Sequence, residues 1–156
     1  MKTRVFLMLA SVVLPTMVNA TEAPRTPSKA ELLAQLEAKY ATKPEKISLR
    51  EAHGIWQQGD ALFFDVNTPE LWEDGRVPGA VFFNVADWQA LLPEDKEQLM
   101  VFYCANRMCL ASDYAAEAVW EMGYTNIKLM PDGIYNWRRD GYPYENDEKL
   151  ASKQNQ

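Results

Sequence analysis

The run LMVFYCANRMCLASDYAA, residues 99–116, decides the fold. Its first five residues are apolar, with β-branched and aromatic members, which predicts a short strand buried on both faces. A helix is predicted over residues 111–122, and the loop before it carries both cysteines of the chain, Cys104 and Cys109. Backbone N–H groups and the positive end of a helix dipole point into such a loop. We therefore expect a lowered pKa for the Cys104 thiol, which would make it a nucleophile.

Predicted strands and helices alternate along the rest of the chain. Apolar runs predict strands at Ile47 and over residues 61–66, 81–83, 99–103 and 127–129. Periodicity, caps and prolines predict helices over residues 30–41, 48–57, 87–92, 111–122 and 134–139, with a further short helix from Thr68. Such alternation is typical of a sheet covered by helices. We predict a single α/β domain with a mostly parallel five-stranded sheet and helices on both faces.

Local signals mark where two of these helices begin and which side of a third packs against the domain. Ser48 and Glu51 have the spacing of a capping box, and Thr68 is a predicted cap before Pro69 at the first helical position. The helix over residues 30–41 is amphipathic. We expect its apolar side to pack against the edge of the domain.

The first 20 residues have the layout of a secretory signal peptide. A basic start is followed by an almost wholly apolar run over residues 5–17 and by Ala20, a small residue suited to cleavage. The run is shorter than the roughly 20 residues of a membrane-spanning helix, and it contains Pro15. We predict an exported protein, with the periplasm as its expected compartment. Its predicted parts are a leader (1–20), a linker with the N-terminal helix (21–46), a domain (47–144) and a polar tail (145–156).

Acidic residues outnumber basic residues, 22 to 16, which gives a formal charge of −6. Loss of Lys2 and Arg4 with the leader would make the charge two units more negative. A surface of this sign argues against nucleic acid or an anionic membrane as a partner. An anionic substrate would therefore need a local positive field at its binding site.

Three separated pieces of the sequence resemble the rhodanese-like domain family. They are DVNTPELW at 65–72 with GRVPGA at 75–80, VFYC at 101–104, and DGIYNW at 132–137 with GYP at 141–143. The pieces occur in the order and at the spacing of the family, over about residues 47–144. The resemblance implies the rhodanese-like fold.

The resemblance also implies a sulfurtransferase. Cys104 would take sulfur from a sulfane-sulfur donor such as thiosulfate, hold it as a persulfide and pass it to a thiol acceptor. The charge of the leaving group and of the persulfide would be stabilised by backbone N–H groups of the loop. The predicted substrate-binding residues are Ala105, Asn106, Arg107, Met108 and Leu110. Arg107 would add a positive charge.

Cys109 lies five residues after Cys104, where the family usually has an arginine. The two cysteines resemble the paired cysteines of a smaller set of exported rhodanese-like proteins associated with quinoprotein-dependent catabolism. In those proteins a tryptophan follows the pair, whereas this chain has Leu110 at that place. One interpretation makes Cys109 the thiol that resolves a persulfide or sulfenate on Cys104. The alternatives are a structural disulfide, a thiol/disulfide redox or binding module without sulfur transfer, and an inactive domain.

Two further polar residues are candidates for the site. His53, the only histidine, lies in the helix predicted over residues 48–57, so we expect a surface or capping role instead of a catalytic pair with Cys104. Asp65 ends a predicted strand and is expected to cap the turn that follows. The five tryptophans are expected to pack in the core and at its edges. No cofactor or metal is predicted, and the sequence identifies no particular protein partner.

Overall fold

A computed structural model describes residues 25–148. The predicted leader, residues 1–20, lies outside the described residues. The helices are α1 (Lys29–Ala41), α2 (Leu49–Gln58), α3 (Pro69–Asp74), α4 (Ala111–Glu121) and α5 (Gly133–Arg139), with a 3-10 turn at Trp88–Leu91. The strands are β1 (Glu45–Lys46), β2 (Leu62–Asp65), β3 (Val81–Phe82), β4 (Met100–Tyr103) and β5 (Ile127–Met130). Within this part of the chain, no helix is long and apolar enough to cross a membrane.

The five strands form one sheet in the order β1-β5-β4-β2-β3, and every pair is parallel. The prediction of a mostly parallel α/β domain is confirmed. β4 occupies the centre, where Phe102 lies between Phe64 of β2 and Leu129 of β5. All four residues of β4 are buried, as its continuous apolar run predicted. The carboxyl end of β4, where Cys104 follows, therefore lies in the middle of one sheet edge.

Side chains of β4 point alternately to two apolar clusters, one on each face of the sheet. Val101 and Tyr103 face the cluster that contains Trp137 of α5. Phe102 faces the other cluster, with Val119 and Trp120 of α4. Because the alternation has a period of two, Cys104 follows Phe102 to the α4 side of the sheet. Both clusters are thus anchored on the strand that leads into the cysteine loop.

Helix starts follow the predicted signals, with one exception. The capping box is present, because the Ser48 hydroxyl accepts the Glu51 N–H and the Glu51 side chain accepts the Ser48 N–H. Pro69 occupies the start of α3, but the side chain of Thr68 makes no capping hydrogen bond. Pro69 has its φ already fixed near the helical value, which favours the start of the helix at this position without a side-chain cap.

Helix α1 contacts the domain mainly through its last turn. Tyr40 lies 5.6 Å from Trp120 between ring centroids, and the Lys39 ammonium pairs with Glu121 at 2.6 Å. Leu32 and Leu33 remain about half exposed, and none of the residues of α1 is buried. The predicted packing of its apolar side against the domain edge is therefore limited to its C-terminal end.

A short C-terminal segment closes the domain beside the loop that follows α3. The backbones of Arg76 and Glu145 exchange two hydrogen bonds, of 2.9 and 3.0 Å. The Arg76 side chain is 5% exposed and pairs with Glu145 and Asp147, at 3.3 and 2.8 Å. It also lies over the ring of Trp72, 4.3 Å from the centroid. Residues 145–147, which the sequence assigned to a loose polar tail, thus take part in the fold.

Candidate active site

Cys104 is the first residue after β4, and its side chain is almost fully buried. The residue is 2% exposed, whereas Cys109 is partly exposed, and both are free thiols. Residues 104–110 form the loop that joins the centre of the sheet to α4, as predicted. The carboxyl ends of parallel strands are where open α/β folds place their sites. The structure therefore places both predicted thiols in one loop at that edge.

The sulfur of Cys104 has close partners on both sides. Its thiol donates to the backbone carbonyl oxygen of Cys109 at 3.1 Å. The Ser112 hydroxyl, in the first turn of α4, lies 3.6 Å away and donates to the same sulfur. Ser112 is 1% exposed and was not singled out in the sequence. The only signal for it was its place in the helical turn directly after the loop.

The pKa of Cys104 moves in the direction opposite to the predicted one. The pKa of the thiol is raised from 9.0 to about 11, chiefly by burial and next by the Cys109 side chain. The Ser112 hydroxyl and backbone N–H lower the pKa but do not outweigh burial. The prediction of an acidic thiol is wrong for this arrangement. A buried sulfur that faces a carbonyl oxygen keeps its proton, because that oxygen accepts a hydrogen bond and repels a thiolate.

The loop satisfies part of its own backbone. The N–H of Met108 donates to Asn106 Oδ1 at 2.9 Å, and the N–H of Cys109 donates to the Asn106 carbonyl at 3.0 Å. The carbonyl of Ala105 accepts the N–H of Tyr135 from α5 at 3.1 Å. The Met108 N–H, one of the loop N–H groups predicted to stabilise the charge of the leaving group and of the persulfide, is therefore engaged within the loop. Its use by a ligand requires the loop to open.

Arg107 is paired with an acidic residue that precedes α5. Its guanidinium makes two hydrogen bonds to Asp132, at 2.6 and 2.8 Å. These hydrogen bonds are the largest cause that raises the pKa of Arg107, and its side chain is 67% exposed. The predicted contact between Arg107 and a substrate anion is not formed in this arrangement, because the Asp132 carboxylate already balances its charge.

The first turn of α5 holds the start of the cysteine loop through backbone hydrogen bonds. The N–H of Ile134 donates to the carbonyl of Cys104 at 2.9 Å, beside the Tyr135 bond to Ala105. Gly133 precedes them with a φ of +65°. A Cβ at this position would lie 2.4 Å from the Cys104 carbonyl oxygen. The glycine of DGIYNW is therefore a packing requirement of the cysteine loop.

A group of buried polar residues lies at the ends of β2 and β4. Asp65 is fully buried, and its Oδ1 accepts the N–H of Asn67 at 2.8 Å, which confirms the predicted cap. Burial raises the pKa of Asp65, and its hydrogen bonds to Asn67 and Tyr103 counteract the rise. The Tyr103 hydroxyl accepts the N–H of Val77 at 3.1 Å. These contacts tie the β3 side of the domain to the residue before Cys104.

His53 is partly exposed and lies in a cluster of aromatic rings. Its imidazole stacks on Tyr142 at 4.4 Å and on Trp56 at 5.7 Å between centroids. Trp137 meets it edge-on at 5.7 Å. The expected capping role is wrong, because His53 lies in the middle of α2 and packs against these three aromatic side chains. Its partial exposure agrees with the expected place at the surface. No hydrogen bond joins His53 to Cys104 among residues 25–148.

A family model for the rhodanese-like domain matches residues 48–140, more than half of the chain. The chain belongs to the rhodanese-like domain family. The match covers the cysteine loop and ends just after α5. The resemblance stated on three short motifs is thereby confirmed for the family, whereas the smaller paired-cysteine group stays a prediction.

Two solved structures show the same fold at low sequence identity. The rhodanese-like domain of an Anabaena protein is 18% identical, with a TM-score of 0.53 over 65% of this chain and 78% of that one. Thiosulfate sulfurtransferase from Pseudomonas aeruginosa is 15% identical, with a TM-score of 0.57 over 69% of this chain and 22% of that one. At this identity the two structures establish the rhodanese-like fold alone.

Two further relatives are more similar in sequence. A protein of unknown function from Rhodopseudomonas palustris, named as a possible tyrosine phosphatase, is 26% identical, with a TM-score of 0.54 over 79% of this chain and 99% of that one. An HTH-type transcriptional regulator of Mycobacterium tuberculosis is 29% identical over 107 residues. The matched region is 67% of this chain and 43% of the regulator, so this rhodanese-like chain spans less than half of that relative.

The raised pKa predicts how Cys104 responds to pH. Its alkylation by iodoacetamide should accelerate about tenfold per pH unit from about pH 7 to about pH 10, because the thiolate reacts and its fraction grows until the pKa of about 11. Mass spectrometry can follow each cysteine separately, since trypsin cleaves after Arg107, between the two. An alkylation rate that stops rising near pH 9 would show that Cys104 has the pKa of an ordinary thiol and would contradict this prediction. Ser112→Ala, which removes a group that lowers the pKa, should move the curve to higher pH.

Proposed function

We propose that this protein is a sulfurtransferase that carries sulfane sulfur as a persulfide on Cys104. The observation that carries the proposal is the placement of Cys104 at the passage from β4 to α4, where the Ser112 hydroxyl and N–H both act on its sulfur. A thiolate formed there has two hydrogen-bond donors from the first turn of a helix. The family match supports the same chemistry at this position.

The proposed reaction has two steps. In the first, the Cys104 thiolate, its proton given to solvent, attacks the outer sulfur of a donor such as thiosulfate. The S–S bond of thiosulfate breaks, a bond from Cys104 Sγ to the transferred sulfur forms, and sulfite leaves with the electron pair. In the second, an acceptor thiolate attacks the outer sulfur of the persulfide. The bond to Sγ breaks, the Cys104 thiolate returns, and the acceptor leaves as a persulfide.

The loop has to rearrange when sulfur is bound. The transferred sulfur would sit about 2 Å from Cys104 Sγ, as in a disulfide. The carbonyl oxygen of Cys109 lies 3.1 Å from Sγ in the resting structure. If the transferred sulfur enters on that side, the Cys109 carbonyl oxygen has to move away. Rotation of the peptide group between Cys109 and Leu110 would turn the carbonyl away from the sulfur and point an N–H toward it. In this proposal, the loop conformation in which the Cys109 carbonyl faces Cys104 and the pKa of Cys104 is raised is the resting form.

A second candidate function rests on the presence of two free thiols in one loop. The Cys109 side chain raises the pKa of the Cys104 thiol, so the two groups influence each other. In thiol/disulfide exchange, one thiolate attacks a partner disulfide and forms a mixed disulfide. The other thiol then displaces the partner, which leaves as a dithiol, and a disulfide between Cys104 and Cys109 remains. The partner gains the two electrons that the cysteine pair loses.

Mass spectrometry of the thiosulfate-treated protein tests the proposal. The reduced protein is incubated with thiosulfate, trapped with an alkylating agent and digested with trypsin, which separates Cys104 from Cys109 at Arg107. We expect a gain of one sulfur atom on the peptide that ends at Arg107. A disulfide that joins the two peptides, without added sulfur, would support the redox function instead. An unchanged Cys104 would contradict sulfur transfer from thiosulfate.

A further inference from the structure

Large apolar side chains are exposed around the cysteine loop. Met108 is 93% exposed, Leu110 53%, Tyr114 69% and Tyr135 43%; we call these four residues the apolar patch. They make up a large part of the exposed large apolar residues between 25 and 148, and most of the others lie on α1. Several exposed large apolar side chains in one region of a surface often mark a site of interaction with a partner.

All four residues are joined directly to the loop that holds Cys104. Met108 and Leu110 flank Cys109 in the sequence. Tyr114 is one helical turn after Leu110, and its N–H donates to the Leu110 carbonyl at 3.1 Å, so the two side chains share a face. Tyr135 donates its N–H to Ala105. A molecule that approaches the loop from solvent therefore meets these apolar side chains together with the exposed Arg107.

The charges nearest the apolar patch are balanced locally. Arg107 is held by Asp132 through two hydrogen bonds. Asp113 is paired with Lys46 at 2.7 Å. The two charged residues that lie beside the patch in the sequence, Arg107 and Asp113, are thus both paired, and the acidic chain as a whole repels the carboxylates of a small acidic thiol. These observations favour an acceptor that is apolar and not acidic.

We propose that the sulfur acceptor is a cysteine within an apolar segment of another protein, and that this segment docks on the apolar patch. The inference rests on the proposed sulfur transfer and names its acceptor. Attack on the persulfide brings the acceptor thiolate within bonding distance of the outer sulfur on Cys104. The residues beside an acceptor cysteine then lie against Met108, Leu110 and Tyr114. A small polar thiol gains nothing from these side chains, whereas an apolar segment buries them.

Transfer to matched peptides tests the acceptor class. The protein is loaded with thiosulfate, and sulfur transfer is measured to a peptide with leucines around its cysteine, to the same peptide with serines, and to dithiothreitol. We expect the leucine peptide to react about tenfold faster than the serine peptide at low concentration. Tyr114→Gln should lower the rate with the leucine peptide about fivefold and leave the rate with dithiothreitol unchanged.

Tyr40→Gln is the matched control, because Tyr40 is also an exposed tyrosine, at 60%, but lies on α1. It should change none of the three rates. Equal rates for both peptides, with normal transfer to dithiothreitol, would overturn the acceptor assignment and leave the proposed function intact. A loaded protein that fails with dithiothreitol as well would overturn the proposed function. A wild-type dimer in sedimentation that Tyr114→Gln dissociates would assign the patch to a second copy of the chain.

Discussion

Replacing Gly133 with alanine is expected to lower the free energy of unfolding by about 3 to 5 kcal/mol. The new Cβ would lie 2.4 Å from the carbonyl oxygen of Cys104 and 2.5 Å from the carbonyl carbon of Ala105. Both contacts are with backbone, so no flexible side chain can move aside. The φ of +65° adds conformational strain for any residue with a side chain. Urea unfolding of the two proteins measures the difference.

Gly59→Ala separates the cost of the backbone conformation from the cost of a steric clash. Gly59 has a φ of +79°, but a Cβ there would meet nothing within 4 Å. We expect this variant to lose only about 1 kcal/mol, the cost of the backbone conformation alone. Similar losses for the two variants would show that the cysteine loop does not depend on close packing against Gly133.

Replacing Cys104 with serine is expected to reduce sulfur transfer from thiosulfate by about 10³-fold or more. The serine hydroxyl fits the space of the thiol and still donates to the Cys109 carbonyl. It stays protonated near neutral pH and is a poor nucleophile toward sulfur, so no persulfide forms. The rate of sulfite release with dithiothreitol as acceptor measures the loss.

Cys109→Ser is the matched variant for this experiment. Direct transfer needs only Cys104, so sulfite release should survive the change. If sulfite release stops in Cys109→Ser, or survives in Cys104→Ser, the assignment of Cys104 as the sole sulfur carrier is wrong. A loss of reactivity in Cys109→Ser that is confined to protein disulfides would instead favour the thiol/disulfide function.

Much of the fold follows from patterns within short stretches of sequence. The buried strand that ends at Tyr103, the capping box of Ser48 and Glu51, and the helix after Leu110 depend on neighbours a few residues away. Such local patterns fix element type, and their alternation fixes a parallel sheet. The same signals do not say how firmly α1 packs, because that depends on which surface remains free beside Trp120.

The electrostatics of the site depended on tertiary contacts that no local pattern shows. The partner of Arg107 is Asp132, 25 residues further on, and they meet because β5 and α5 return the chain to the loop. The raised pKa of Cys104 depends on which way a single peptide, that of Cys109, points. A strand-to-helix loop predicts N–H groups around the sulfur in general, but local turns about Asn106 direct two of them inward to the loop itself.

The C-terminal segment over residues 145–147 determines how far an independently folding fragment of this domain has to extend. The family pattern ends at residue 140, yet the two carboxylates that balance Arg76 come from Glu145 and Asp147. A fragment excised at the end of the pattern would keep a guanidinium in its interior and lose both counter-charges. Any transplant of this module into a larger polypeptide therefore has to bring the downstream segment with it.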